Sequence, residues 1–163
     1  MSIAQTLLAE FEVQAPVTRR FLERLPQSQL AWKPHARSMT AGQLAYHLAT
    51  VPGGVVRSAQ KEQVDPPNFA FPQPESAAAI LDAFAESIRT VREVLPSFDD
   101  ESMKRPWRIV APNQTVLVEM TRLDLLRNVM LNHWYQHRGQ FSVYLRLLDI
   151  PVPSSWGPSA DEG

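Results

Sequence analysis

Residues along four stretches of the chain recur at the three-and-four spacing of an α-helix, and proline closes or interrupts them. In the first, from Ser2 to Leu25, Ile3, Leu7, Phe11, Thr18, Phe21, Leu22 and Leu25 share a face. Pro16 lies inside it and cannot donate to the carbonyl of Glu12, which predicts a kink or two abutting helices. The second opens at Thr40-Ala41-Gly42-Gln43, the pattern of a capping box, and carries Leu44, His47, Leu48 and Val51 on one side. Pro52-Gly53-Gly54 is expected to bend or fray it. The third runs from Glu75 or Ser76 to Leu95, with Ile80, Leu81, Phe84, Ile88 and Val91 as its stripe and Asp82, Glu86, Arg89 and Glu93 as its solvated face; Pro96 stops it. The fourth, Thr121 to Leu148, is the longest and would span about 40 Å at 1.5 Å per residue. Residues 107–118, rich in Ile and Val around Ala111-Pro112-Asn113-Gln114, read as a short hairpin or a lid-like loop. Four long helices with little strand predict an all-α fold, a four-helix bundle. The connections are long enough for crossovers, so spacing alone leaves the topology open.

Composition narrows the function classes. A chain of 163 residues that is 44% hydrophobic and 20% charged can build a core without staples, which suits one bundle domain over residues 1–150 and a proline-rich tail over 151–163. There is no cysteine, so disulfides, thiolate nucleophiles and cysteine zinc sites are excluded. Sixteen basic residues against 17 acidic ones leave a formal charge of −1, with no excess to neutralise phosphates, so nucleic acid is not an expected partner. No stretch approaches the ~18 apolar residues of a membrane span. The first residues lack a basic region, and Glu10 and Glu12 interrupt the apolar run, so a cytoplasmic location is expected.

Candidate chemistry falls on histidine. Two of the four histidines stand in His133-Trp134-Tyr135-Gln136-His137 on the longest helix. An i, i+4 pair sets two imidazoles one turn apart on one face, a spacing that suits two ligands of one ion. A helical wheel puts Leu126, Val129, Met130, Gln140, Phe141, Tyr144 and Leu148 on that face, so the pair points into the core. Buried imidazoles need partners, and His47, among Leu44, Leu48 and Val51, can supply one if the second and fourth helices touch. Three neutral nitrogen donors would hold a divalent metal ion, with zinc or nickel foremost and iron or manganese also suited, and leave a coordination position open. Trp134 stands where a zinc peptidase motif would carry glutamate, which removes that reading. His35, in a Trp32-Lys33-Pro34-His35 loop, reads as a surface residue. Gln140 and Tyr144, one and two turns beyond His137, are candidate substrate-pocket residues. No carboxylate can be assigned as a general base.

Ordered along the chain, Arg20-Phe-Leu-Glu-Arg-Leu-Pro26, Leu30-Ala-Trp-Lys-Pro-His35, Ser38-Met-Thr-Ala-Gly-Gln-Leu-Ala-Tyr-His-Leu-Ala49, Asn132 to Arg146 and the tail Ile150 to Glu162 resemble the DinB/YfiT-like family over essentially the whole length. The resemblance implies an up-down-down-up four-helix bundle, often a homodimer, with a divalent metal on residues matching His47, His133 and His137. It also implies activities of the thiol-dependent transferase, thiol-dependent isomerase or metal-dependent hydrolase type on small-molecule substrates, the thiol being a low-molecular-weight cofactor because the chain has none. The competing expectation is a non-catalytic, metal-stabilised binding module: Leu131, Trp134, Tyr135, Val143 and Leu145 make the long helix apolar nearly all round, as in a helix that also pairs with a partner.

Overall fold

Ser2 opens the first helix: its hydroxyl accepts from the Gln5 backbone N–H at 3.2 Å while the Gln5 side chain accepts from Ser2 at 2.8 Å. The resulting helix α1, Ile3–Glu23, runs unbroken through Pro16. Pro16 is exposed, so the Glu12 carbonyl deprived of its partner can turn to water, and no break is needed. In the computed structural model, which describes residues 1–68 and 70–162, the chain is mainly helical.

The capping box at Thr40 forms as its sequence predicts and starts α2, Ala41–Ala59. Pro52-Gly53-Gly54 neither bends it to an end nor frays it. Gly53 is instead a point of close approach: its N–H donates to Ser87 Oγ at 2.8 Å, and a Cβ there would lie 2.9 Å from the Ser87 Cα. Ser87 belongs to α3, Ala77–Val94, which Ser76 caps and a short 3₁₀ turn, Leu95–Ser97, ends. One further short helix, α4, covers Asp100–Lys104.

The all-α expectation needs correcting by a small sheet. Strands β1 (Gln63–Val64), β2 (Pro106–Val110) and β3 (Val116–Thr121) lie in that order, β1 parallel to β2 with Gln63 opposite Arg108, and β2 antiparallel to β3 with Trp107 opposite Met120. Residues 107–118 are thus the hairpin of the two alternatives. Its β-branched residues favour strand, Gln114 takes the left-handed φ of 66° at the turn, and Asn113 Oδ1 accepts from Thr115 N–H. What the pattern missed is the two-residue β1, too short to carry an alternation.

The long last helical run has three parts: α5 (Arg122–Leu125), a π-helical segment (Leu126–Asn132) and α6 (His133–Leu147). Three bonds align it with α2 in opposite senses: Tyr144 OH to Met39 O, Trp134 Nε1 to Leu48 O and Arg122 Nε to Ala59 O, at 3.1, 2.9 and 2.8 Å. Toward α1 the contacts rise together, Tyr135 to Glu10 and Arg138 to Gln14 and Thr18. Helices α1 and α3 oppose each other, since Arg92 reaches Glu12 and Ile3 N–H reaches Asp100 beyond α3. The core sits among these helices: the fully buried Trp134 stacks on Phe11 with ring centres 5.3 Å apart and tilts toward Phe84. Beyond α6 the chain returns along α1, where Glu162 pairs with Arg20 and Arg24, and Asp161 with Arg146. Among the described residues no helix is long and apolar enough to cross a membrane.

Candidate metal centre

The bond from Trp134 Nε1 to the Leu48 carbonyl pins α6 against α2 one residue away from both His133 and His47. The three histidines meet as a consequence. His133 Nε2 lies 3.2 Å from His47 Nε2 and 3.0 Å from His137 Nε2, and one ring nitrogen from each of the three lies within 4.8 Å of the others. The rings stand almost perpendicular to one another, at 84° and 85°. His137 Nδ1 is 2.9 Å from Gln140 Oε1, and only a protonated Nδ1 can donate to that oxygen. In the neutral ring that tautomer leaves the lone pair on Nε2, which faces His133.

Burial holds the His47 imidazole well below the ordinary histidine range, at about 4, with the neighbouring His137 and His133 rings adding to it. His133 is lowered by the same burial and by His137. Both are neutral near pH 7, the state a metal ligand requires. The cluster is thus a set of closely spaced ring nitrogens, those of His47 and His133 kept from protonation by burial. One proton on His133 Nε2 can serve only one well-directed contact, whereas one cation serves three lone pairs. Metal–nitrogen bonds of about 2.0–2.1 Å would set neighbouring donors about 3 Å apart at a right angle and about 3.4 Å apart in a tetrahedron. The observed 3.0 and 3.2 Å fall in that interval. The donor set fits a divalent ion, and three protein donors are fewer than such an ion takes, as at catalytic rather than closed structural sites.

The sequence profile of the DinB superfamily matches residues 10–141, a span that includes all three histidines. The chain belongs to the DinB superfamily. It is 23% identical over 159 residues to the uncharacterised protein YrdA of Bacillus subtilis, covering 95% of this chain and 89% of that one. Crystal structures of DinB-like proteins share its fold: one from Bacillus cereus with a TM-score of 0.74 at 20% identity, covering 95% of this chain and 98% of that chain, and YjoA from Bacillus subtilis with 0.71 at 20% identity, covering 93% and 99%.

Around the DinB cluster, the other candidate residues separate. Gln140 is exposed and its only bond to the site is the one that orients His137. Tyr144 is buried, edge-on to Trp32 with ring centres 5.7 Å apart, and donates to Met39 O. His35 is an exposed loop residue whose Nδ1 accepts from Arg37 N–H, outside the cluster.

Phe71, which helical periodicity could not reveal, covers the third histidine. Its ring lies edge-to-face with His47 at 5.1 Å. The Thr40 cap fastens this part of the connection to α2: Gln43 Nε2 donates to Phe71 O at 2.9 Å, and Thr40 Oγ1 donates to Gln73 Oε1 at 2.6 Å. A Cβ on Gly42 would lie 2.9 Å from the Leu30 carbonyl oxygen, which is backbone and cannot swing aside, so this close approach needs glycine. The signal available in the sequence was the proline cluster at 66, 67, 72 and 74, which stiffens an extended connection.

Proposed function

We propose that this DinB protein holds a divalent metal ion on His47, His133 and His137 and is a metal-dependent enzyme of the thiol-dependent transferase or hydrolase type, acting on a small molecule. The observation that carries the reading is the convergence of three imidazole nitrogens from two helices, at 3.0 and 3.2 Å about His133 Nε2. The bound ion would supply Lewis acidity toward a thiol or water. The chain's residues do the rest. His47 and His133 present neutral donors because burial disfavours their protonated forms. Gln140 fixes the His137 tautomer. Phe71 covers one side of His47 with an apolar edge and limits water there. Any thiol comes from a small molecule, since the chain contains no cysteine. Zinc and nickel head the candidate ions, because three imidazoles suit both.

The helix directions support an up-down-down-up arrangement of α1, α2, α3 and the α5–α6 run. We infer in addition that the protein is a homodimer: Val143 and Leu147 on α6 are more than half exposed, at 54% and 57%, and a monomer leaves that apolar strip in water.

Elemental analysis of the purified protein and of His133→Ala tests the centre; equal metal in both overturns it. The metal-loaded protein is then screened with a thiol plus an electrophile, and with esters and amides. Metal-dependent turnover supports the enzyme. A bound ion without turnover, whose removal lowers the melting temperature, supports the metal-stabilised module instead. Light scattering at micromolar concentration reads the oligomeric state, and a monomer overturns the dimer.

A further inference from the structure

Arg138 follows His137 in α6, and one residue is about 100° around a helix, so its side chain leaves the histidine cluster and runs toward α1. It is 2% exposed. Its Nη2 donates to Gln14 Oε1 at 2.7 Å, and its Nη1 to Thr18 Oγ1 at 3.1 Å and Gln14 O at 3.4 Å. All of these acceptors are neutral. The guanidinium carbon lies 5.4 Å from the Tyr135 ring centre and 5.7 Å from that of Trp156. The carboxylates of the surroundings are committed elsewhere: Glu10 to Arg127 and Tyr135, Glu162 to Arg20 and Arg24, Asp161 to Arg146. Among the described residues none pairs with Arg138. Arginine this deeply buried is ordinarily matched by an anion, because the desolvation of its charge is otherwise offset only by neutral acceptors and ring faces.

Arg138 also lines an open cleft of about 320 Å³ between α6 and the returning C-terminal segment. Phe21, Val152 and Trp156 give it apolar walls, and Ser142 and Ser155 add hydroxyls. The volume is at the lower end of ligand cavities and suits a compound with a single ring or short chain. A cation beside an apolar cleft selects an amphiphilic anion over an inorganic one, because the cleft walls reward burial of carbon and offer phosphate few further donors. We propose that this cleft binds a small organic monocarboxylate, its carboxylate against the Arg138 guanidinium and its apolar body against Trp156, at a site separate from the three histidines.

The test titrates benzoate, benzamide and inorganic phosphate into the purified full-length protein and follows the Trp156 indole N–H and the Arg138 Nε–H by nuclear magnetic resonance. Benzoate should shift both saturably, with benzamide and phosphate at least about tenfold weaker. The response should persist in His133→Ala, which separates this site from the metal centre, and disappear in Arg138→Gln. Should Arg138→Gln not fold, Trp156→Ala keeps the cation and removes a wall that is 68% exposed, and benzoate binding should weaken severalfold. Absence of saturation up to about 20 mM benzoate, an equal response to benzamide, loss of the response in His133→Ala, or benzoate binding unchanged in Arg138→Gln or in Trp156→Ala each overturns the proposal. Phosphate binding as tight as benzoate overturns the carboxylate assignment.

Discussion

Gln140 Oε1 accepts from His137 Nδ1 across 2.9 Å, three residues along the same helix, and so decides which nitrogen of His137 is left to face His133. A hydrogen bond to the far nitrogen fixes tautomer and ring orientation and raises the donor strength of the near one. Gln140→Leu keeps the approximate volume and removes the acceptor. Metal affinity should fall by about 10- to 100-fold, read by competition with a chromogenic chelator, while the melting temperature of the metal-free protein changes little because Gln140 is exposed. Affinity equal to the parent protein's would show that the helix alone orients the ring.

How much of this centre was legible in the sequence differs from residue to residue. His133 and His137 declared themselves by spacing, since four residues on one helix need no tertiary information to be neighbours. His47 required the assumption that α2 meets α6, which the Trp134–Leu48 bond satisfies; the indole's need for an acceptor was readable, but not which carbonyl it would find. Phe71 was legible only as part of a proline-stiffened connection, because its place over His47 depends on the fastening of that connection by Gln43. Arg138 was no more legible, for a related reason. One residue beyond His137 turns it off the histidine face, but that it would be buried against Gln14 and Thr18 depends on where α1 packs.

The pH response of the metal-free protein follows from the sign of the His47 shift. Its ordinary value of 6.5 falls to about 4 in the folded protein, so between those limits the unfolded chain binds more protons than the folded one. The stability associated with neutral His47 is present above pH 6.5 and is lost as pH falls toward 4. Urea denaturation of chelator-treated protein should therefore show a midpoint that declines across this window. The decline should be shallower in His47→Ala, a control that leaves the acidic latch of Asp161 and Glu162 untouched. Parallel slopes in the two proteins would mean that other groups carry the effect.

Two adjacent glycines in α2 should respond to alanine in opposite directions. A Cβ on Gly53 would meet Ser87 Cα and Oγ at 2.9 Å, backbone and a short side chain that cannot swing aside, whereas a Cβ on Gly54 meets nothing within 4 Å. Gly54→Ala should stabilise the protein by about 0.5–1 kcal/mol through helix propensity. Gly53→Ala gains the same propensity but must push α3 away, at a cost of about 1–3 kcal/mol for overpacking, and should be destabilised overall. Chemical denaturation of the two single variants decides it. Stabilisation by both would show that the α2–α3 contact yields easily.

The π-helical segment Leu126–Asn132 sets the rotation between two anchors of the long helical run. Ahead of it, Arg122 is buried and donates to Ala59 O at 2.8 Å and Ser102 O at 3.2 Å; directly after it come His133 and the Trp134–Leu48 bond. A π turn accommodates one residue more than an α turn, so the segment already absorbs one extra residue while both anchors face α2. Inserting one alanine after Val129, which is only partly buried, exceeds that allowance, and side chains ahead of the insertion rotate by about 100° relative to those behind it. Arg122 and His133 can no longer both reach α2. If the Arg122 side holds, the histidines separate and the insertion variant purifies with less metal; if the histidine side holds, a buried guanidinium loses its carbonyls, at about 3–5 kcal/mol for an uncompensated buried charge. Either way the variant is expected to be worse than the parent in metal content or in denaturation midpoint, measured on the same preparation. Parent-like values of both would show that the segment is an accident of packing rather than the spacer between these two anchors.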